Sequence, residues 1–246
     1  MPRYKITIEY DGTKYCGWQR QPGQATVESV ITEALKTAFS QDIEIFGSGR
    51  TDAGVHAVGQ IAHFDCNKKL NGFEMMMAIN HNIDYNENIA IIDCHEVSEN
   101  FHSRFDAKMR FYEYKIINRK ARLVLEKNRA WHIPNKLDLE KIQEASKYFI
   151  GTHDFSSFKD SECQTKNPIR TIKDIKITKN NDLILFQISA KSFLHHMVRN
   201  IVGTLYLIGK NKLEVEDISK ILAAKNRTKS GPNAPACGLY FTKVEY

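Results

Sequence analysis

The sequence contains little cysteine and no paired cysteine motif. Its five cysteines are widely separated along 246 residues, and none belongs to a CxxC pair: Cys16, Cys66, Cys94, Cys163 and Cys237. An odd number of scattered cysteines argues against a disulfide scaffold and against a structural zinc site. We therefore expect reduced thiols and a cytoplasmic protein.

Long apolar runs are also missing. The longest extends from Ile201 to Ile208, far short of the ~18–20 residues that a membrane-spanning helix needs. Charge interrupts the segment from Met1 to Glu9 too early for the apolar region of a signal peptide. Because glycine and proline number only 13 and 6, collagen-like and linker compositions are excluded as well.

What the sequence does contain is enough apolar surface for a core. Hydrophobic residues make up 42% of the chain and charged residues 26%, with 13 Phe, 10 Tyr and 2 Trp. This composition is typical of a globular protein and excludes whole-chain disorder. The length suits one large domain or two smaller ones.

Hydrophobic periodicity predicts strands interleaved with helices. Alternation in residues 3–10 and 109–118 predicts strands, whereas the apolar spacing after Thr26, which we expect to be an N-cap, predicts a helix to Ala38. Further strands are predicted at 43–46, 60–65, 89–97, 171–178, 183–190 and 238–245, and further helices at 70–80, 138–150, 194–209 and 214–224. The pattern favours an α+β fold built from two similar α/β halves that share one sheet flanked by helices. The join is placed near 105, so the halves are 1–105 and 106–246.

One loop has the composition of a reactive site. Residues 47–56 read GSGRTDAGVH, with glycines on both sides of Arg50 and Asp52. Asp52 stands where a dinucleotide-binding loop needs its third glycine, and the Asp-Thr-Gly order of an aspartic protease is absent. An ordinary turn capped by Asp52 beside a solvated Arg50 is the structural alternative. We favour an ionised carboxylate held by arginine, which suits a nucleophile or a general base.

Six ordered segments along nearly the whole chain carry a family resemblance. The segment Gly49–His56 resembles the signature of the TruA family of tRNA pseudouridine synthases. The other five are residues 9–21, 101–105 together with 110–114, 151–158, 195–203 and 238–240. The resemblance implies the pseudouridine synthase fold, with a mostly antiparallel central sheet and an active-site cleft between the halves.

The resemblance also implies an activity. The family isomerises uridine to pseudouridine at positions 38 to 40 in the anticodon arm of tRNA, without cofactor or metal. It works as a homodimer, with the tRNA contacting both subunits. Asp52 matches the catalytic aspartate, and three routes stay open: attack on C1′, proton abstraction that gives a glycal-like intermediate, or addition to uracil C6.

The same match assigns roles to four further residues. Arg50 would hold Asp52 and fill the gap left by the flipped base. Tyr112 would stack on the uracil, Arg199 would reach the Asp52 carboxylate and Leu239 would line the uracil pocket. Tyr112 and Leu239 also fit an ordinary core.

The two histidines at 195 and 196 are predicted to lie on a helix. Arg199 follows His195 by four residues, which predicts that the two point the same way. His195 and His196 are expected to diverge and to hold no metal, and His195 is a candidate for contact with RNA phosphate.

Positive charge is concentrated in one window. The chain has a formal charge of +6, and residues 104–129 contain nine bases against three acids, Arg104 and Arg110 among the bases. Such a concentration, with tyrosines interleaved, favours binding to a phosphate backbone. A second cluster lies at Lys225, Arg227 and Lys229. Arg20 with Tyr15 and Trp18 is a candidate RNA-facing loop, although Trp18 also fits an ordinary core.

Two other functions remain open from the sequence. One is a non-catalytic RNA-binding protein on the same fold. The other is a carboxylate hydrolase acting on a nucleoside or sugar, which needs a second carboxylate as general acid. Asp11 and Asp154 are the candidates for that second group.

Overall fold

The computed structural model describes residues 1–160, 163 and 165–246. Its internal contacts define two compact units, Met1–Lys108 with Tyr240–Tyr246, and Met109–Leu239. Residues 240–246 thus belong to the first unit, although the predicted halves place them in the second. In the part of the chain that is described, no helix is long and apolar enough to cross a membrane.

The first unit is a mostly antiparallel sheet with two helices. Its elements are β1 (Arg3–Tyr10), α1 (Val27–Phe39), β2 (Ile45–Gly47), β3 (His56–Asp65), α2 (Gly72–His81), β4 (Ile89–Val97) and β10 (Leu239–Glu245). Strand β1 pairs antiparallel with β3 and β4. The other edge of β3 is shared, because β2 pairs antiparallel with residues 62–64 and β10 pairs parallel with residues 56–57.

Local sequence explains β1 and α1. The alternation in β1 buries Tyr4, Ile6, Ile8 and Tyr10 on one face, as predicted. Helix α1 begins after Thr26, whose hydroxyl accepts from the Ser29 N–H while the Ser29 hydroxyl accepts from the Thr26 N–H. This capping box satisfies two backbone donors and fixes where the helix begins.

The second unit repeats the arrangement with three helices among its described residues. Its elements are β5 (Met109–Asn118), β6 (Trp131–Ile133), α3 (Leu139–Ser146), β7 (Gly151–Asp154), β8 (Ile169–Asn180), β9 (Leu183–Ala190), α4 (Met197–Gly209) and α5 (Asp217–Ala224). The antiparallel order is β5-β9-β8-β7, and β6 adds to β5 in parallel. Close packing joins α3 to α4, since a Cβ on Gly209 would lie 2.5 Å from the Ile142 side chain.

The mixed, mostly antiparallel α+β fold is confirmed, and several boundaries differ from prediction. Strand β3 begins at His56 rather than at 60, and β2 begins two residues later and ends one residue later than predicted. Helix α3 ends at Ser146 and continues as a 3-10 turn, Lys147–Phe149. Strands β6 and β7 were not predicted, because three or four residues are too few to show a period. All five cysteines are free thiols, as expected.

Candidate active site

Asp52 lies in the loop between β2 and β3, and the start of this loop is fixed from inside the sheet. The Ser48 N–H donates to the Ile61 carbonyl at 2.7 Å. The Ser48 hydroxyl donates to Gln60 Oε1 at 2.7 Å, and Gln60 Nε2 donates to the Gly49 carbonyl at 2.8 Å. Gln60 is fully buried, so its side chain acts as a rigid brace for the residues that lead to Asp52.

The loop is also fixed on either side of Asp52. The Thr51 hydroxyl hydrogen-bonds to the Tyr10 hydroxyl at 2.8 Å in a buried position, and the Trp18 N–H donates to the Thr51 carbonyl at 3.1 Å. Beyond Asp52, the Gly54 N–H donates to the Tyr15 carbonyl at 3.3 Å. Asp52 itself is half-buried. A carboxylate is therefore presented from a backbone held on both sides.

Glycines in the preceding segment permit this close approach. A Cβ on Gly17 would lie 2.3 Å from the Thr51 carbonyl oxygen, and Gly17 has φ +86°. A Cβ on Gly12 would lie 1.9 Å from the Val55 carbonyl oxygen. Only glycine fits where backbone meets backbone at these distances. Residues 12–18 thus shape the loop that carries Asp52.

His56, at the end of the loop, is a structural residue. It is buried, its Nδ1 accepts from the Gly12 N–H at 3.0 Å, and its ring stacks on Tyr240 at 4.8 Å. His56 Nδ1 also lies 3.2 Å from Asp11 Oδ1. Asp11 caps the turn Gly12–Lys14 by accepting from Thr13.

The two arginines near this loop are both exposed and share an acidic neighbour. Glu28 in α1 accepts from the Arg20 N–H at 2.5 Å. Burial raises the pKa of Glu28, while that hydrogen bond and the charges of Arg50 and Arg20 act to lower it. Arg50 and Arg20 therefore lie in the electrostatic range of one half-buried carboxyl group. The pairing of Arg50 with Asp52 stays a prediction.

Tyr15 and Trp18 do not form an RNA-facing loop, so that expectation is wrong. Both are about 3% exposed. The Tyr15 hydroxyl donates to Glu87, and the Trp18 ring lies against Gly47, whose Cβ would come within 2.6 Å of the indole nitrogen. They are core residues that support the loop, whereas Arg20, the third residue of the predicted group, is exposed.

In the second unit, β5 presents the predicted face of Arg110, Tyr112 and Tyr114, all of them buried. Arg110 donates to the Lys191 carbonyl at 2.6 Å, which ties β5 to the segment after β9. The Tyr112 ring contacts Phe193 edge-on at 5.1 Å. Burial raises the pKa of Tyr114, whose hydroxyl donates to the Pro235 carbonyl at 2.7 Å. Tyr112 itself is 9% exposed.

The segment before α4 differs from the prediction. Helix α4 begins at Met197 rather than at 194, and His196 precedes it with φ +61°. The expectation that His195 and Arg199 point the same way from one helix is therefore wrong, as is the expectation that the histidines diverge. Their rings lie 3.9 Å apart, and His196 Nδ1 is 2.6 Å from Asp160 Oδ2. His195 is exposed.

Arg199 and Leu239 occupy defined places. Arg199 Nε donates to the Ala234 carbonyl at 2.8 Å, and the Ala234 N–H donates back to the Arg199 carbonyl at 3.2 Å. These two hydrogen bonds hold the backbone and the Nε atom of Arg199 against Ala234. Leu239, the first residue of β10, is 5% exposed.

The basic window is largely solvent-facing. Arg110 is buried, but the window's remaining bases are exposed or half-buried, and Arg104 is among the exposed ones. Next to it, a groove of about 490 Å³ is lined by Lys120, Lys136 and Lys210 with Pro134, Asn135, Gly209 and Asn211. The described residues that line this groove include three cations and no acid, which suits a polyanion.

Comparison with known proteins identifies the family of this chain. The family model described as tRNA pseudouridine synthase matches residues 6–106 and 145–246. The chain belongs to the TruA family of tRNA pseudouridine synthases, which are isomerases.

Two curated relatives match end to end. One, tRNA pseudouridine synthase A of Ehrlichia chaffeensis, is 49% identical over 99% of this chain and 100% of its own length. Another, tRNA pseudouridine synthase A of Xanthobacter autotrophicus, is 44% identical over the whole of both chains. Among solved structures, a Cbf5-Nop10-Gar1 complex is a distant match, with 10% identity, a TM-score of 0.36, and coverage of 82% of this chain and 54% of that one.

Four residues that hold the Asp52 loop in place were not predicted from the sequence: Gln60, Ser48, Tyr10 and Gly17. A buried glutamine within a strand gives no periodic signal. The glycine before Trp18 was within a matching segment, but its role depends on a tertiary contact.

Proposed function

We propose that this synthase isomerises uridine at positions 38, 39 and 40 of the tRNA anticodon arm, with Asp52 as the catalytic carboxylate. The observation that carries the proposal is the loop itself. Asp52 is half-buried between residues that Gln60, Tyr10 and Trp18 fix by hydrogen bonds. Holding a reactive group in one geometry is how an active site lowers the entropic part of a barrier.

The remaining roles follow the same proposal. Arg50, which is exposed in the loop, fills the place of the flipped nucleotide. Tyr112 stacks on the uracil, Leu239 contacts it, and Arg199 stabilises the charge of Asp52. Four further residues contribute to RNA binding: Arg20, Arg104, Arg110 and His195. Arg110 contributes indirectly, because its guanidinium donates to the Lys191 carbonyl.

The buried state of Arg110 limits what it does. Its guanidinium donates to a backbone carbonyl of its own chain, so it supports the position of residues 191–193 and of Tyr112 nearby on β5. The phosphate contacts fall instead to exposed bases such as Arg20 and Arg104.

The proposal includes a homodimer acting on cytoplasmic tRNA. Light scattering should give twice the mass of one chain, and a fully active monomer would contradict this part.

The carboxylate-hydrolase alternative is disfavoured by the state of its candidate acids. Asp154 accepts from the Ser156 N–H at 2.9 Å and lies 3.2 Å from the Lys225 ammonium. Burial acts to raise the pKa of Asp154, but these partners outweigh it and leave the pKa lowered. A general acid needs a raised pKa. Asp11 is occupied as a turn cap.

The test is Asp52→Asn assayed by tritium release from C5-labelled uridine in tRNA. We expect activity to fall below detection, while tRNA binding stays nearly unchanged because the substitution removes no cation. Asp11→Asn and Asp154→Asn are matched controls, since asparagine can also cap a turn. Full activity of Asp52→Asn, or loss of activity in a control with release of free uracil by the wild type, would contradict the proposal.

A further inference from the structure

The first unit exposes one aromatic ring in an unusual setting. The Phe105 side chain is 74% exposed, in a turn that directly follows a buried serine, Ser103. Single exposed apolar residues are common and need no explanation. Phe105 differs because its exposed ring lies beside another ring and a cation.

The turn that carries Phe105 is rigid. His102 Nδ1 accepts from the N–H groups of Arg104 and Phe105, at 3.1 and 3.4 Å. Asp106 closes the turn from the other side, because its Oδ2 accepts from the His102 N–H at 2.8 Å and its own N–H donates to the His102 carbonyl at 3.1 Å. The backbone of Phe105 is therefore fixed in the free protein, so little backbone entropy remains to be lost on binding.

Aromatic rings back Phe105 from the protein side. Its centroid lies 4.3 Å from that of His102, which in turn lies 5.9 Å from Phe46 and 4.7 Å from His63. Burial, with the charges of His102 and Arg3, lowers the pKa of His63 to about 4. This ring is therefore neutral at physiological pH and adds no repulsion behind the cluster.

A cation completes the group. The Arg104 guanidinium lies 5.8 Å from the Phe105 centroid, within the ~6 Å range of a cation–π contact. We call Phe46, His102, Arg104 and Phe105 the Phe105 platform. An exposed ring beside an arginine is the combination by which proteins stack nucleobases while binding the neighbouring phosphate.

The Phe105 platform is attached to the strand that leads into the Asp52 loop. The Ser103 hydroxyl donates to the Phe46 carbonyl at 2.6 Å, and the Ser103 N–H donates to His63 Nδ1 at 3.2 Å. Phe46 belongs to β2 and lies two residues before Ser48, where the loop begins. At ~3.3 Å per residue, the attachment point is roughly 7 Å along the strand from the loop.

We propose that the Phe105 platform binds an unpaired nucleobase of the tRNA, with Phe105 stacking on the base and Arg104 contacting its phosphate. This inference rests on the proposed function. Charge favours RNA over a second copy of this chain, because the Arg104 guanidinium beside the ring suits a phosphate, whereas two copies that met at this surface would bring two Arg104 cations together.

The test compares Phe105→Ala and Phe105→Leu with Phe73→Ala, using a synthetic anticodon stem-loop RNA and fluorescence anisotropy. Phe73 is a matched control, since it is 69% exposed on α2 without a place in the proposed site. We expect both Phe105 variants to bind about 5- to 150-fold more weakly, the range for loss of one base–aromatic stack. Phe105→Trp should bind at least as well as wild type, and Phe73→Ala should be unchanged.

Abasic substitutions in the RNA loop locate the partner. At one loop position, removal of the base should abolish the difference between wild type and Phe105→Ala, which is the signature of a direct contact in a double-mutant cycle. Wild-type affinity of Phe105→Ala, or a loss that no abasic position removes, would overturn the inference. A loss of dimer mass in Phe105→Ala would likewise overturn it, in favour of a contact between copies.

The failure of this inference is distinct from failure of the proposed function. If Asp52→Asn is inactive and Phe105→Ala binds like wild type, only the stacking role is refuted. If Asp52→Asn is fully active, the proposed function itself is refuted.

Discussion

Substitution of Gly17 by alanine tests whether the backbone contact at Thr51 positions Asp52. A Cβ at residue 17 would lie 2.3 Å from the Thr51 carbonyl oxygen and 3.1 Å from the Asp52 carbonyl carbon. Since such contacts need at least about 3.0 Å, the Thr51–Asp52 backbone must move by roughly 0.7 Å or more. A displacement of ~1 Å in a reactive group can cost on the order of 100-fold in rate. We therefore expect Gly17→Ala to lower kcat by that order.

Gly23 supplies the matched control. It also has a positive φ, +71° against +86° for Gly17, but a Cβ there would have no neighbour within 4 Å. Both variants lose about 1–2 kcal/mol of stability from the left-handed backbone, and only Gly17→Ala adds the collision. Urea unfolding measures the first effect and tritium release the second. If Gly17→Ala is folded and retains the kcat of Gly23→Ala, the argument that this contact positions Asp52 is refuted.

Two further predictions concern charge. Replacement of Lys120, Lys136 and Lys210 by glutamine should weaken tRNA binding and reduce the slope of log affinity against log salt by about 2–3, since each phosphate contact contributes ~0.7–0.9. The same change at Lys173, Lys176 and Lys179, which are exposed on β8, should leave the slope nearly unchanged, and equal slopes in the two triple variants would contradict a specific role for the groove. His63 has a folded pKa lowered to about 4 against about 6.5 when unfolded, so the unfolded chain takes up the proton first as pH falls. The free energy of unfolding should therefore decrease by about 2 kcal/mol between pH 7 and pH 5 by urea titration, and persistence of this decrease in His63→Asn would show that another group causes it.

Much of the fold follows from local patterns. The alternation of β1 and β5 and the Thr26 cap of α1 are encoded within each segment, so the predictions for these elements are confirmed. Strand β4, Ile89–Val97, has the bounds that its local sequence predicted. Elements of three or four residues carry too little pattern, which is why β6 and β7 were missed.

The site was less predictable because its supports are tertiary. Gln60 braces Gly49 across eleven positions of sequence, and no spacing rule links the two. Tyr15 and Trp18 resemble an exposed aromatic loop in sequence, yet both are buried, with the Tyr15 hydroxyl bonded to Glu87 and the Trp18 ring against Gly47. His196 adopts a left-handed backbone, so α4 begins later than its apolar period suggested.

The most direct test of the account is position-resolved mapping of pseudouridine in tRNA from cells that lack this chain, complemented with wild type or with Asp52→Asn. We predict that wild type restores pseudouridine at positions 38, 39 and 40, and that Asp52→Asn restores none despite equal expression. Restoration by Asp52→Asn, or unchanged modification of these positions in cells without the chain, would contradict the central claim.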